Sequence, residues 1–216
     1  MADILNGSVR YFDNLPAVPK RERILSRLGY RKGITVLEDK DISLVGEGIK
    51  LGSLLCKPAG AYLPVPLVSK DHHRVLLENG MSFQSLGLSK LLENSRGVVL
   101  MAATVGKEVT ERVFNEVEKG DAALGLILDS VASQTADAAL DRIVHLLGGI
   151  LAREGKKLTR HRYSPGFGDL PLSCQKDIFE ALRLERFHMA LTEKFMLVPE
   201  KSVIAIAGVE ERRSGL

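Results

Sequence analysis

The sequence has little of what several protein classes require. Its 216 residues include only two cysteines, Cys56 and Cys174, which lie far apart in the chain. This argues against a zinc knuckle, an iron–sulfur cluster or a disulfide framework. No wholly apolar run approaches the roughly 20 residues that a membrane span needs, and residues 1–5 do not resemble a secretory signal. We therefore expect a cytoplasmic protein that has no membrane segment.

The motifs of common catalytic and nucleotide-binding classes are also missing. No GxGxxG follows a predicted strand, no GxxxxGK[ST] occurs, and Gly46-Glu47-Gly48 has too little around it to bind a nucleotide. No serine lies in a nucleophile elbow, so a hydrolase is not supported. Neighbouring side chains of an extended segment point to opposite faces, so His72 and His73 do not readily share a metal ion. We expect them in a surface turn.

The charge balance does not indicate nucleic acid. The net charge is +3, and no aromatic residue is interleaved with the densest basic run for base stacking. Two interpretations of that run remain open: a solvated helix end, or a surface that docks on an acidic partner or an anionic ligand. Its members are Arg153, Lys156, Lys157, Arg160, His161 and Arg162.

The patterns that are present favour strands in the first half of the chain. Short apolar runs separated by glycine, proline and charged residues are typical of strands, and we expect them at residues 34–37, 51–56, 62–68, 75–77 and 98–103. Pro64 and Pro66 favour a sheet edge for the third run, because proline has no N–H to donate.

Helical periodicity and a final pair of strands complete the predicted fold. We expect helices at residues 21–28, from near Lys107 to Gly120, at 122–153, and from a Ser173 cap to about Leu184. Residues 194–198 and 202–209 are predicted strands joined by a hairpin turn. This order predicts an α+β fold, one domain over residues 1–216, whose mainly antiparallel sheet packs against long helices.

The longest predicted helix, residues 122–153, has two different faces. Apolar residues recur at steps of three and four, as one buried face requires, and Leu128, Val131, Ile143 and Leu146 belong to it. Asp129, Ser133, Asp137 and Asp141 repeat at every fourth position and lie broadly on the opposite side. We therefore expect an acidic row on the exposed side of this helix.

Residues 162–172 are the most informative segment. They begin with Arg162 and contain two glycines and two prolines. Gly166 permits a close approach of the backbone, Pro165 fixes φ, and an arginine can bind a carboxylate through two parallel hydrogen bonds. This composition indicates either a loop that holds a small anionic or zwitterionic ligand, or a plain connector between helices.

Arg162-Tyr163-Ser164-Pro165-Gly166-Phe167 is similar to the RxxxG[YF] element of the reactivation domain of cobalamin-dependent methionine synthase. Three more segments resemble that family: a strand, turn and helix at 99–109, part of the long helix at 128–137, and the two final strands at 191–203. The similar segments occur in the family's order over about residues 98–209. The first third of the chain is compatible with the family but less similar.

The resemblance implies a function. In this family the domain binds S-adenosylmethionine and presents its methyl group to cobalamin that has oxidised to cob(II)alamin, after a flavodoxin-like or other one-electron reductant has supplied an electron. This chain resembles a free-standing version, so the expected partner is a cobalamin-dependent methionine synthase that lacks its own reactivation domain. That partner would supply the cobalamin.

The resemblance also implies which residues bind the ligand. Arg162 would bind the α-carboxylate, Asp137 would face the α-ammonium, and the backbone from Ser164 through Pro165 to Gly166 would contact the adenine. Phe167 stands where tyrosine is common, so stacking is kept and a hydroxyl contact is lost. The chain ends soon after Val209, so ligand contacts from the family's C-terminal tail are expected to be missing or replaced.

No acid, base or nucleophile is expected from this chain, because cob(I)alamin is itself a strong nucleophile and needs only a well-oriented methyl donor. Two alternatives stay open. One is a module that senses S-adenosylmethionine or bridges proteins. The other is a stand-alone small-molecule methyltransferase, against which the missing glycine-rich turn counts.

Overall fold

An antiparallel sheet of seven strands forms the centre of the structure, a computed structural model that describes residues 4–36 and 38–212. Its strands are β1 Arg10–Phe12, β2 Ala59–Lys70, β3 Arg74–Leu77, β4 Ser82–Gln84, β5 Ser95–Thr104, β6 Lys156–Leu158 and β9 Ser202–Glu211. They run in the order β4-β3-β2-β5-β9-β6, and β1 pairs with β2. A separate ribbon pairs β7, Ala190–Leu191, with β8, Leu197–Val198.

The predicted α+β fold is confirmed, since helices cover both faces of this sheet. The helices are α1 Arg21–Arg27, α2 Asp39–Leu55, α3 Leu86–Leu91, α4 Glu108–Glu118, α5 Ala122–Arg153 and α6 Gln175–Leu182. Among the described residues, none of these helices is both long and apolar enough to cross a membrane.

Strand β5 divides the hydrophobic core into two layers. Its side chains alternate between faces, as strand geometry requires. Val98, Leu100 and Ala102 pack in one layer with α3 and α6, whereas Val99 and Met101 pack in the other layer with α5. The prediction of a buried strand at residues 98–103 is therefore confirmed, and α5 packs on one face of the sheet.

Helix α5 has the predicted bounds. It begins where the Asp121 side chain accepts a hydrogen bond of 3.0 Å from the Leu124 N–H, an N-cap that satisfies one of the first free amides. Leu128, Val131 and Ile143 are buried as expected. Leu146 is only half-buried, because it lies at the margin of the face that meets the sheet.

Two predicted strands of the N-terminal third are wrong. Residues 51–55 form the last turns of α2 instead of a strand, because Gly48 and Gly52 let this helix pack closely against Ile127 and Val131 of α5. Residues 34–36 form a turn and irregular chain, and Leu37 lies outside the described residues. The helix predicted at residues 21–28 is confirmed as α1.

Pro64 and Pro66 predicted that β2 lies at a sheet edge, and this prediction is wrong. Strand β2 pairs with β5 on one side and with both β1 and β3 on the other. The Pro66 carbonyl accepts a hydrogen bond of 3.0 Å from the Glu78 N–H. The backbone polar groups of Pro66 therefore point away from β5. The two prolines face the interval between β1 and β3, where no strand needs an N–H donor.

The prediction that the last two strands form a hairpin is also wrong. Strand β8 is only two residues long and pairs with β7, and β9 pairs with β5 and β6. Ser173 lies within the 3-10 turn Leu172–Cys174 and makes no cap, and α6 begins at Gln175. The last long strand therefore completes the sheet beside β5, a pairing that local turn chemistry does not reveal.

Candidate functional site

The exposed acids of α5 meet basic residues from three parts of the chain. Asp129 pairs with Lys201 at 2.6 Å and with Arg27 of α1 at 3.8 Å. Asp141, three turns further along, lies 3.7 Å from Arg23 of α1. The predicted acidic row is therefore confirmed as a feature of the structure, and α1 lies beside it.

Arg162 reaches this acidic row from the segment that follows β6. Its Nη1 donates a 2.8 Å hydrogen bond to Asp141 Oδ1, and its side chain is 30% exposed. The next residue, Tyr163, exchanges two backbone hydrogen bonds of 2.8 Å with Ile206 of β9. Because neighbouring side chains alternate in extended chain, Tyr163 enters the core layer of α3 and α6 while Arg162 faces α5.

A cleft of about 340 Å³ lies between α5 and the segment that follows β6. Asp141, Val144, Arg160 and Arg162 contribute to its walls. Asp137 does not line this cleft, although its carboxylate is close enough to Arg162 for the two charges to interact. The structure therefore brings Arg162 and Asp137 to the same side of the molecule.

Asp137 has no hydrogen bond or ion pair within the described part of the chain. Partial burial raises the pKa of its carboxyl group, and the neighbouring Asp141 raises it further. Arg162, Arg27 and Arg23 act in the opposite direction, since cations favour the ionised form. This exposed carboxylate is thus without a hydrogen-bond or ion-pair partner among the described residues, and it is a negative charge that a cationic group of a ligand could meet.

Asp141 is a site residue that the sequence analysis did not select. It lies one helical turn after Asp137 and is the direct partner of Arg162. The spacing of four residues on one helix face was a usable signal, because such residues are neighbours on the helix surface.

The loop after Arg162 is held by its own backbone. The Gly166 N–H donates to the Leu170 carbonyl at 2.8 Å, and the Phe167 N–H donates to the Ser164 carbonyl at 3.0 Å. Gly166 has φ +85°, a conformation that favours glycine. A Cβ at Gly166 would stand 3.0 Å from Leu172 Cδ1, so that side of the residue is filled by the protein and is not open to a ligand.

Asp169 fixes the far end of this loop. Its carboxylate accepts hydrogen bonds from the Ser85 hydroxyl at 2.6 Å, the Leu86 N–H at 2.5 Å and the Tyr163 hydroxyl at 3.1 Å. These bonds lower the pKa of Asp169 to about 2. Nothing in the local sequence pointed to this role, because its partners at the start of α3 are more than 80 residues away in the chain.

The structure does not bring every predicted site residue together. The Phe167 ring lies 5.5 Å from the Tyr163 ring, edge to face, and is 66% exposed. Within the described residues, no hydrogen bond, ion pair or ring contact joins it to Arg162 or Asp137. Pro165 is buried and Ser164 is half-buried. Arg162 and Asp137 thus form one group, and Phe167 belongs to the part of the loop that packs on Tyr163.

Two lysines of the basic run before Arg162 are paired within the protein. Lys156 pairs with Glu154 at 3.0 Å, and Lys157 pairs with Glu210 at 3.3 Å. Both lysines belong to β6, so their side chains point to opposite faces of the sheet. The run is therefore not one continuous basic surface.

Comparison with known proteins identifies this fold. No family model and no curated protein matches the chain. Among solved structures, the chain is similar to the crystal structure of the MetH reactivation domain bound to AdoHcy. The TM-score is 0.71 at 14% sequence identity, and the match covers 97% of this chain and 80% of that chain. The chain therefore has the fold of the MetH reactivation domain, as its motifs predicted.

Proposed function

We propose that this protein binds S-adenosylmethionine beside α5 and supports the reductive methylation of cob(II)alamin on a cobalamin-dependent methionine synthase in trans. The observation that carries the proposal is the approach of Arg162 to the unpaired Asp137. This pair stands in a fold whose solved relative has AdoHcy bound. AdoHcy is the demethylated form of S-adenosylmethionine and shares its carboxylate, ammonium and adenine.

Arg162 is suited to bind the α-carboxylate of this ligand. Its Nη1 is hydrogen-bonded to Asp141, and its other nitrogens have no acceptor among the described residues. A guanidinium group offers five donors in a planar fork, so the free edge can take a carboxylate in two parallel bonds while Asp141 keeps the side chain in position. Asp141 is thus a positioning residue in this account.

Asp137 is suited to bind the α-ammonium. Its carboxylate has no hydrogen-bond or ion-pair partner among the described residues, and its exposed position lets a ligand's cation reach it. The backbone of Ser164, Pro165 and Gly166 would contact the adenine, and the exposed Phe167 ring offers a stacking surface at the end of the loop.

The chemical step asks little of this chain. Cobalamin bound to the partner synthase, reduced by one electron from a flavodoxin-like or other donor, supplies the nucleophile. The methyl group would pass from sulfur to that nucleophile, the electron pair of the broken bond would stay on sulfur as AdoHcy leaves, and this chain would not need to move a proton. The contribution of the chain is binding and orientation of the methyl donor, which lowers the entropic part of the barrier.

Calorimetric titration with S-adenosylmethionine tests the binding site. Loss of a bidentate charged pair costs on the order of 1.5–3 kcal/mol, so Arg162→Ala should bind about ten- to hundredfold more weakly. Asp137→Asn should also weaken binding, because the ammonium loses its counter-charge. The control is Arg96→Ala, which removes an exposed arginine paired with Glu211 at 3.6 Å. Equal affinity of the parent and Arg162→Ala would remove this loop from the site.

A further inference from the structure

A second groove lies on α5, three turns beyond Asp137. It runs between β1 and the C-terminal half of α5 and has a volume of about 510 Å³. Grooves of about 300–1,000 Å³ are typical of small-molecule sites. Its walls include Arg10, Phe12, Tyr62, Arg142, Gly149 and Arg153, and none of these residues belongs to the cleft beside Arg162.

Three permanent cations in this groove have no counter-ion among residues 4–36 and 38–212. Arg10, Arg142 and Arg153 make no ion pair and no side-chain hydrogen bond within the part of the chain that the structure describes. No acidic residue is among the groove's lining residues. Arg142 Nε is buried without any hydrogen-bond partner among the described residues, which is uncommon because a buried donor without an acceptor is costly. The charge of the groove is therefore available to an anion.

Aromatic rings form the wall opposite α5. The Phe12 and Tyr62 rings lie 6.0 Å apart with an angle of 32° between their planes, and Tyr62 is only 7% exposed. Arg10 is close enough to Tyr62 to act on its hydroxyl electrostatically. Leu146 and Ile150 of α5 supply apolar surface on the facing side. Flat apolar walls beside cations suit a planar ring that carries an anionic group.

Gly149 keeps the α5 side of the groove open. Glycine is unfavourable in a helix interior, yet α5 has two in succession, Gly148 and Gly149. A Cβ at either position would meet nothing within 4 Å, so close packing does not explain these glycines. Gly149 lines the groove and Gly148 does not. A side chain at 149 would occupy space that the groove now leaves free.

We propose that this groove binds a phosphorylated planar heteroaromatic compound of mononucleotide size. Phosphate is favoured because three arginines line the groove and a guanidinium group binds phosphate oxygens in bidentate pairs. The ring would lie between the Phe12 and Tyr62 side and the apolar face of α5. The site is separate from the proposed S-adenosylmethionine site and does not depend on it.

Calorimetry of the full chain with GMP, CMP, UMP and flavin mononucleotide tests this proposal. Guanosine and riboflavin are probes that lack the phosphate, and inorganic phosphate is a probe that lacks the ring. At least one phosphorylated ring compound should bind with a Kd below about 1 mM and at least about tenfold more tightly than its dephosphorylated form and than phosphate. Gly149→Leu and Arg142→Gln should each weaken that binding at least about tenfold. Gly148→Leu is the matched control and should bind like the parent.

Four outcomes would overturn the proposal: no probe binds; free phosphate binds as tightly as the ring compounds; an acidic peptide displaces the bound ring compound at a lower concentration than any nucleotide does; or Gly149→Leu and Gly148→Leu bind equally well. Arg162→Ala separates this site from the first, because it should leave nucleotide binding unchanged. Loss of nucleotide binding in Arg162→Ala would assign the probe to the cleft beside Arg162 and would also overturn the proposal.

Discussion

At the scale of single residues, Asp169 connects the candidate ligand loop to the rest of the domain. It accepts hydrogen bonds from Ser85 and Leu86 at the start of α3 and from Tyr163, the residue after Arg162. Tyr163 is paired with β9 at the same time. One carboxylate therefore determines where the loop lies against the sheet, and its ionised form is the one that these donors stabilise.

Asp169→Asn should lower the free energy of unfolding at pH 7, and the difference from the parent protein should be smaller in acid. The folded-state pKa of Asp169 is lowered to about 2 from an ordinary value of 3.8. Its stabilising contribution is therefore fully present above the ordinary pKa and is lost as pH falls toward about 2. Urea unfolding at pH 7 and near pH 2.5 measures this. Glu78→Gln, at an exposed carboxylate without such contacts in the described residues, is the control. A difference that is the same at both pH values would contradict the assigned role.

The candidate site residues were selected on two different grounds. Arg162 was selected because its charge stands at the start of a loop rich in glycine and proline, whereas Asp137 was selected through the resemblance to the reactivation domain, and both stay predictions. Asp169 could not be selected, since its partners come from a distant part of the chain. The filling of the space beside Gly166 could not be predicted either, because Leu172 reaches it only in the folded chain.

At the scale of elements, the length of a pattern determined how well it could be interpreted. Helix α5 extends over 32 residues, so its periodicity and both of its ends were predicted. Residues 51–56 are a short apolar run, and such runs do not distinguish a strand from a buried helix. Glycines at 46, 48 and 52 also lower the helical preference of α2. Tertiary contact with α5 stabilises α2 despite that preference.

The glycines of α2 give a matched test of this packing. A Cβ at Gly48 would stand 2.5 Å from Ile127 Cγ2, whereas a Cβ at Gly46 would meet nothing within 4 Å. Gly48→Ala should lower the free energy of unfolding by about 1–3 kcal/mol through overpacking. Gly46→Ala should raise it by up to about 1 kcal/mol through helix preference. Equal effects of the two substitutions in chemical denaturation would show that α2 does not pack on α5 as described.

At the scale of the whole molecule, the order of segments predicted the fold class but not the strand order. Strand β9 lies between β5 and β6 although the three are far apart in sequence. No turn or spacing indicates such long-range pairing. The resemblance over residues 98–209 predicted the fold but no strand order, and the match to the MetH reactivation domain extends that likeness to 97% of the chain.

The proposed function in trans also belongs to the whole molecule, because it would need a surface that meets a cobalamin-bearing partner. Lys156 and Lys157 are paired internally, so they contribute less net charge to docking than their sequence suggested. Arg153 and Arg160 are exposed and make no ion pair with any described residue. If these exposed charges steer an acidic partner, docking weakens with salt, since screening acts over about 10 Å at 0.1 M.

The most direct test follows the visible spectrum of a cob(II)alamin methionine synthase that lacks its own reactivation domain, mixed with a one-electron reductant and saturating S-adenosylmethionine. The account predicts conversion to the methylcobalamin spectrum only when this protein is added, and slower conversion with Arg162→Ala than with Arg96→Ala. The protein alone should methylate no small molecule. A cob(II)alamin spectrum that persists in the presence of the parent protein and a cognate synthase would contradict the account, and a sensing or bridging role would then be favoured.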